Sequence, residues 1–459
     1  MAGLPYQYDN LPTGRWFRIL KIHPGQFDDP LSCELVATPL DEAPQYRALS
    51  YVWGDPADVA PITCSGVKRE ITASLFEGLR RIRGTDAVEI AWADAICINQ
   101  ADNEEKSFQV NQMGDIYDKA AEVVVWLGHD IEGAAEVAFN GLRQINKSIR
   151  EGTDTAWSPA SKEEFDVDVG KVKPETYGPM WVQRSNLDNM LTLDVSNAIM
   201  KLYQLPWFTR VWILQEVGLA TIATAFWGPS HIDFHEIAEF ILFAMTYSNL
   251  EQGLRQDIKD TISGSPYYAF HNVWSTYDKQ NSWVSRSRPL SSHVVWMTDN
   301  TKIDFVLVLE ASRRLNATND LDHVFAFLGH PKAIQPGTNR TLVQADYNTD
   351  LETLHHSLAS KLAETSLNFL VQVQNVAEDI EPKNANPSWI PQWHINKPDA
   401  PTAFWEAWDA GLLAPTSPTT KHVASVSGNT LKALALLFDT VGAHTQTMGR
   451  SKFEHPVHA

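Results

Sequence analysis

Three short apolar runs, spaced so that a helix fits between them, constrain the fold of this chain more than any other feature. Tyr46-Arg-Ala-Leu-Ser-Tyr-Val-Trp53 is apolar and aromatic-rich and is stopped by Gly54-Asp55-Pro56, which reads as a buried strand and a turn. Thr72 stands where a helix needs its first cap, and Leu75, Leu79 and Ile82 then recur at i, i+4 and i+7, ending near Gly84. Val88-Glu-Ile-Ala-Trp-Ala-Asp94 puts Val88, Ile90 and Trp92 on one face and carries Asp94 to the strand's carboxyl end. Asp102 then caps a second helix, with Glu105 three residues on in a variant of the capping box. That helix has Val110, Met113, Tyr117 and Ala120 as its apolar face, and Glu122-Val-Val-Val-Trp-Leu127 follows as a third buried strand before Gly128. Strands separated by helices of this length imply βαβ units, an α/β fold and a parallel sheet with right-handed crossovers. Ligands of such sheets bind outside the carboxyl ends of the strands, so the loops after Trp53, Asp94 and Gly128 become the expected site.

The pattern is less regular further on. Between about 130 and 200 the signal weakens, and Glu151 to Lys173, rich in Thr, Ser, Pro and acidic residues, reads as an insertion or mobile loop. Pro206 to Ala220 reads as a helix with an aromatic face, from the i, i+4 pairs Trp207/Val211, Phe208/Trp212 and Ile213/Val217. A strand over Thr221 to Trp227 and a helix after Asp233 complete an expected domain over 1–235, with an insertion near 130–205. A mainly helical region over 236–459 follows, including helices at Asp304–Arg314 and Leu351–Glu364. It stops at Ala459 with little sign of a final packed element and reads as truncated.

Composition narrows the function classes. Hydrophobic residues at 44% and charged residues at 20% describe ordinary globular material. Lys+Arg 37 against Asp+Glu 56 gives 37 − 56 = −19, which disfavours general binding to nucleic acid or anionic membrane. Three cysteines, Cys33, Cys64 and Cys97, lie too far apart for a disulfide scaffold or a CxxC metal site, which suits a reducing compartment. The N-terminus has no signal peptide, and stretches such as Phe240 to Met245 are far shorter than the ~20 residues of a membrane span. A soluble, cytoplasmic protein without a membrane span is expected. Sixteen tryptophans suggest large aromatic clusters in the core or lining pockets.

Several residues invite chemistry, each with a plainer role beside it. Asp94, at a strand tip, fits a polar ligand contact and a cap of the next turn equally well. Glu216 shares a helical face with Trp212, a carboxylate beside an aromatic ring, although periodicity alone favours a solvated position for it. Arg210 suits a phosphate, but surface ion pairing is the commoner fate of such a residue. Cys97 reads as a buried thiol, and His355-His356 diverge on a helix, which is poor metal geometry. No GxGxxG, GxxxxGK[ST], HExxH or GxSxG occurs, so the familiar nucleotide, zinc-protease and serine-hydrolase signatures are absent.

Tyr46-x-Ala-Leu-Ser-Tyr-Val-Trp-Gly54, Trp92-x-Asp-Ala-Ile-Cys-Ile-Asn-Gln100 with Gln109-Val110, and Arg210-Val-Trp-x-x-Gln-Glu-Val217 resemble the three signature blocks of the fungal heterokaryon-incompatibility (HET) domain. Arg313 to Gly329 and Pro387-Ser-Trp-Ile-Pro-Gln-Trp393 are similar to downstream regions of such proteins, so the resemblance covers most of the chain. It implies a role in fungal non-self recognition and programmed cell death. It also implies kinship with TIR domains, whose flavodoxin-like parallel sheet carries helices on both faces. Ala48 to Gly54 is similar to the first TIR strand, and Trp212-Ile-Leu-Gln-Glu216 reproduces the Trp and Glu spacing of catalytic TIR domains. The stretch 130–204 before that segment is longer than its counterpart in a compact TIR domain.

By that resemblance Glu216 is the catalytic residue for cleavage of the nicotinamide–ribose bond of NAD⁺. Ser50, Trp53, Gly54, Asp94, Asn99, Arg210 and Trp212 would bind the nucleotide. Trp212, Trp53 or Trp92 would stack on a ring, and main-chain NH groups after Gly54 would hold phosphate. NAD⁺ or a related nucleotide enters as substrate, with no cofactor or metal, and the active form is expected to be a homo-oligomer. Two other readings stay open: a non-catalytic, self-associating death-signalling scaffold, and a hydrolase of another nucleotide.

Overall fold

The computed structural model describes residues 7–156, 189–246, 273–274, 277, 304–373, 387–395 and 424–433. Strands β1 (Trp16–Ile22), β2 (Ser32–Pro39), β3 (Arg47–Tyr51), β4 (Val59–Cys64), β5 (Val67–Thr72), β6 (Glu89–Trp92), β7 (Glu122–Trp126), β8 (Ala223–Trp227) and β9 (Ser230–Asp233) share one sheet. Their spatial order is β5-β4-β2-β1-β6-β3-β7-β8-β9. The three apolar runs are β3, β6 and β7. With β8 they form a parallel block in which the first strand, β3, lies between the second and the third. This matches the first four positions of the doubly wound order 2-1-3-4-5, whose ligand crevice opens where the strand order reverses, between β3 and β7.

The sheet as a whole is mixed rather than parallel. β1 runs antiparallel to β2 and β6, β4 to β5, and β8 to β9. Among these partners β1 is itself largely buried, with Phe17, Ile19, Leu20 and Ile22 in the core. β5 reads Val-Lys-Arg-Glu-Ile-Thr and is mostly exposed, a charged edge that resists pairing with another chain. β4 and β5 are joined by Ser65-Gly66, whose φ values of 49° and 79° suit the primed turns of tight hairpins.

Helices α1 (Ala73–Ile82) and α3 (Asn103–Lys119) follow as the periodicity requires, with a short α2 (Asp94–Cys97) between them that no period announced. Thr72 Oγ1 accepts from Leu75 N, and Asp102 accepts from Glu104 N and Glu105 N. The expected reciprocal cap does not close, because the Glu105 carboxylate is taken by Arg18 and by Asn99 N. α1 lies close on β3: a Cβ on Gly78 would stand 2.8 Å from Leu49 Cδ2. Alternation along the strand then turns Ser50 to the opposite face.

The weak region carries structure. α4 (Ala135–Ala156) buries Ala135, Ala138, Phe139, Leu142, Ile145 and Ile149, a helical stripe, against α5 (Leu193–Tyr203). Residues 151–156 of the expected loop therefore belong to a helix, and 157–173 lie outside the described residues. Pro206 to Ala220 is not one helix. A 3-10 turn (Pro206–Thr209) and α6 (Ile213–Gly218) flank a break at Arg210. The break follows from backbone pairing with a distant segment, Val211 N to Asn316 O and Asn316 N to Thr209 O.

Beyond β9 come α7 (Phe234–Thr246), α8 (Phe305–Ser312), α9 (Asp322–Phe325), α10 (Leu351–Ala363) and a hairpin of β10 (Ala424–Ser427) and β11 (Thr430–Ala433). Their apolar side chains join those of the sheet in one continuous core. Among the described residues no helix is long and apolar enough to cross a membrane.

Candidate functional site

The carboxyl end of β3 meets the start of α6, and a hydrogen-bonded cluster fills the junction. Glu216 is 2% exposed, so the solvated position that periodicity suggested is not the one it occupies. The break at Arg210 accounts for this: α6 is a short segment inserted edge-on into the core, with all six of its residues buried. Ser50, turned away from α1 by strand alternation, donates its hydroxyl to Glu216 Oε2 and accepts from Trp207 Nε1 at 2.9 Å. Arg210 closes the other side, with Nη1 3.3 Å from Oε2 and Nη2 3.4 Å from Oε1, a two-pronged approach.

Electrostatics follow from this geometry. Burial pushes the Glu216 carboxyl above its ordinary range, against the opposing pull of Arg210 and the Ser50 hydroxyl. Burial would also lower the Arg210 pKa, but the charges of Glu216 and Asp94 outweigh it and raise it. Arg210 therefore stays a cation facing two carboxylates.

Asp94 and Trp53 are brought together as neighbours at the ends of β6 and β3. Trp53 Nε1 donates to Asp94 Oδ2 at 2.8 Å, and Trp53 is 42% exposed. Asp94 Oδ1 also accepts from the adjacent Ala95 N at 2.8 Å, but Asp94 is the first residue of α2, whose N-cap, Ala93, makes no side-chain cap. The fully buried Tyr51 hydroxyl has no hydrogen bond of normal geometry; burial, then the Asp94 charge, pushes its pKa well up. Gly54 has φ 79° in the exposed turn after β3. Asn99 stays in its own loop, where its side chain accepts from Ala101 N at 3.4 Å.

Trp212 lies one helical turn before Glu216, its carbonyl accepting from Glu216 N at 3.0 Å, while its ring is engaged elsewhere. It precedes α6, and its indole donates to Asp322 Oδ2 at 3.2 Å. Asp322 Oδ1 accepts from the Tyr347 hydroxyl at 2.7 Å, and Lys106 Nζ stands 3.9 Å from the centre of the Tyr347 ring. Burial raises the Asp322 pKa, opposed by those two hydrogen bonds. Trp92 is wholly buried, edge-on to Tyr117, and offers no face to a ligand ring. Trp207, Tyr51, Asp322 and Tyr347 escaped the sequence reading. Asp322 was legible only as part of a block, because its partner Trp212 is remote in sequence.

Cys97 is a buried thiol as expected. His355 is buried against Trp393, while His356 turns to the hairpin and donates from Nε2 to Gly428 O at 3.1 Å. A cavity of about 310 Å³ lies there, between α10 and β10, lined by His356, Ser360, Glu364 and Val426.

A family model described as "Heterokaryon incompatibility protein (HET)" matches residues 46–216, from the foot of β3 to the buried carboxylate itself. The chain carries a HET domain. Heterokaryon incompatibility protein 6, OR allele, of Neurospora crassa is 32% identical over 239 residues, 48% of this chain and 34% of that protein. The match thus spans about a third of the relative's length. No solved structure matches the chain. Within the HET domain lie Ser50, Asp94, Arg210 and Glu216, whereas Asp322 and Tyr347, which hold Trp212, come from beyond its end.

Proposed function

We propose that the HET domain cleaves NAD⁺ at the nicotinamide–ribose bond, and that this activity serves fungal non-self recognition and cell death. The observation that carries the reading is a buried carboxylate, Glu216, held against a cation at the carboxyl end of β3. Burying an ion pair is expensive, so such an arrangement beside a switch point is a reason to look for function. Breaking the glycosidic bond builds positive charge on the ribose, and a fixed carboxylate in a dry site stabilises it. The Arg210 fork fits a pyrophosphate as well as a carboxylate. On substrate binding Arg210 would move to phosphate and leave Glu216 facing the ribose, with Trp53 as the exposed aromatic residue. The active form is a homo-oligomer, so turnover per chain rises with protein concentration.

Nicotinamide release by the purified chain, beside Glu216→Ala, tests this. Release by wild type alone supports the reading, and equal release by both proteins overturns it. A second reading is favoured by the saturation of both Glu216 oxygens by Ser50 and Arg210. In that reading the cluster only braces a self-associating scaffold, and Glu216→Ala lowers the Tm with no product from either protein.

A further inference from the structure

Cys33 and Cys64, remote in sequence, are direct partners across the parallel pair β2 and β4. Adjacent strands lie ~4.8 Å apart, within the ~4.4–6.8 Å that separates the Cα atoms of bridged cysteines. Each thiol is the leading influence on the other's ionisation. We propose that this pair is an oxidative modification site, at which a small peroxide converts Cys64 to a sulfenic acid and Cys33 then closes a cross-strand disulfide.

The surroundings assign the two roles. Cys64 ends β4 just before the Ser65-Gly66 turn and lies beside the Arg69 guanidinium and the Ser65 hydroxyl. Contact with Cys33, then Arg69 and the Ser65 hydroxyl, holds the Cys64 thiol below its ordinary range against burial, whereas contact with Cys64 and burial push Cys33 up. Arg69 is held in place by Tyr8, whose ring lies between Arg18 and Arg69, 4.9 and 5.1 Å from their guanidinium carbons. Tyr8 also accepts from Arg69 Nη2 at 2.6 Å and donates to Ile96 O at 3.0 Å. Cys97 is an internal control: its Sγ accepts only from Ala93 N, and burial raises its pKa to about 12.

The steps balance. The Cys64 thiolate attacks one peroxide oxygen; the O–O bond breaks, a hydroxide or alkoxide leaves, and the peroxide is reduced by two electrons as the sulfur is oxidised by two. Cys33 sulfur then attacks the sulfenic sulfur, the S–O bond breaks, and hydroxide leaves with the Cys33 proton as water. Both thiols are essentially inaccessible, at 1% and 0% exposure, which restricts the oxidant to a small peroxide and disfavours a bulky disulfide reagent.

The test treats the folded full chain with one equivalent of hydrogen peroxide, blocks remaining thiols by alkylation under denaturing conditions, and maps peptides without reduction. The expected product is a Cys33–Cys64 linked peptide, lighter by two hydrogens, with Cys97 alkylated. Cys33→Ser should leave Cys64 as a sulfenic acid trapped by dimedone, and Cys64→Ser should leave Cys33 unreacted. Full alkylation of both cysteines in peroxide-treated wild type would overturn the proposal, as would links confined to Cys97 or to other copies. The wild-type map decides the matter even where a variant fails to fold.

Discussion

Glu216 and Arg210 depend on each other. Their side chains are 3% and 16% exposed, so removing one strands the other's charge in the core. Arg210→Ala should therefore destabilise the fold by about 3–5 kcal/mol in chemical denaturation, the range for breaking a buried pair. The double change Arg210→Met with Glu216→Leu should recover much of that loss; a double variant as unstable as the single one would contradict the pairing. The identity of these residues was legible in the sequence, but their burial was not. An i, i+4 reading assumes a continuous helix, and only the backbone pairing with Asn316 shows that the helix stops at Arg210.

At the scale of elements, α4 and α7 are joined by an ionic cluster. Arg150 bonds Glu239 and reaches Glu236 at 3.1 Å, and Asn146 Nδ2 donates to Glu236 Oε2 at 2.7 Å. Burial raises the Glu239 pKa to about 7 despite Arg150. Burial also opposes ionised Glu236, but bonds from His235, Asn146 and Arg150 win and lower its pKa to about 2. A carboxyl raised in the folded state contributes stability that is full below its unfolded pKa of ~4.3 and is lost as pH rises through the folded value. Glu236 acts oppositely, contributing above the unfolded value and losing its contribution as pH falls through about 2. Glu239→Gln should therefore flatten the fall in Tm between pH 4.5 and 8; an unchanged slope would count against this assignment.

The contact of α1 with β3 gives a second element-scale prediction. Gly78→Ala would place a methyl 2.8 Å from Leu49 Cδ2 and should cost ~1–3 kcal/mol in urea unfolding, as overpacking does. Elements with an apolar period or a side-chain cap, namely β3, β6, β7, α1 and α3, were legible in the sequence. β5 was hidden by its charged, exposed edge, and α4 by attention to its polar C-terminal turns rather than to its apolar stripe.

At the scale of the whole molecule, the HET domain does not close its own core. A Cβ on Gly114 of α3 would lie 2.8 Å from Gly329 Cα, and Gln215 Oε1 accepts from Gly329 N at 2.9 Å. Asn111 is bonded to Ala345 in both directions, and Ser107 Oγ accepts from Tyr347 N. A fragment ending at residue 246 should therefore expose apolar surface and bind a hydrophobic dye. A monodisperse fragment with sharp thermal unfolding would refute that dependence. These long-range contacts join stretches that share no sequence period, so sequence alone could not pair them.

The most direct test of Glu216 as the chemical centre is nicotinamide release by Glu216→Gln, measured with its circular dichroism. The substitution keeps the shape and removes the charge. A folded variant that releases no nicotinamide where wild type does is the predicted result. A folded variant that turns over NAD⁺ at the wild-type rate would contradict it.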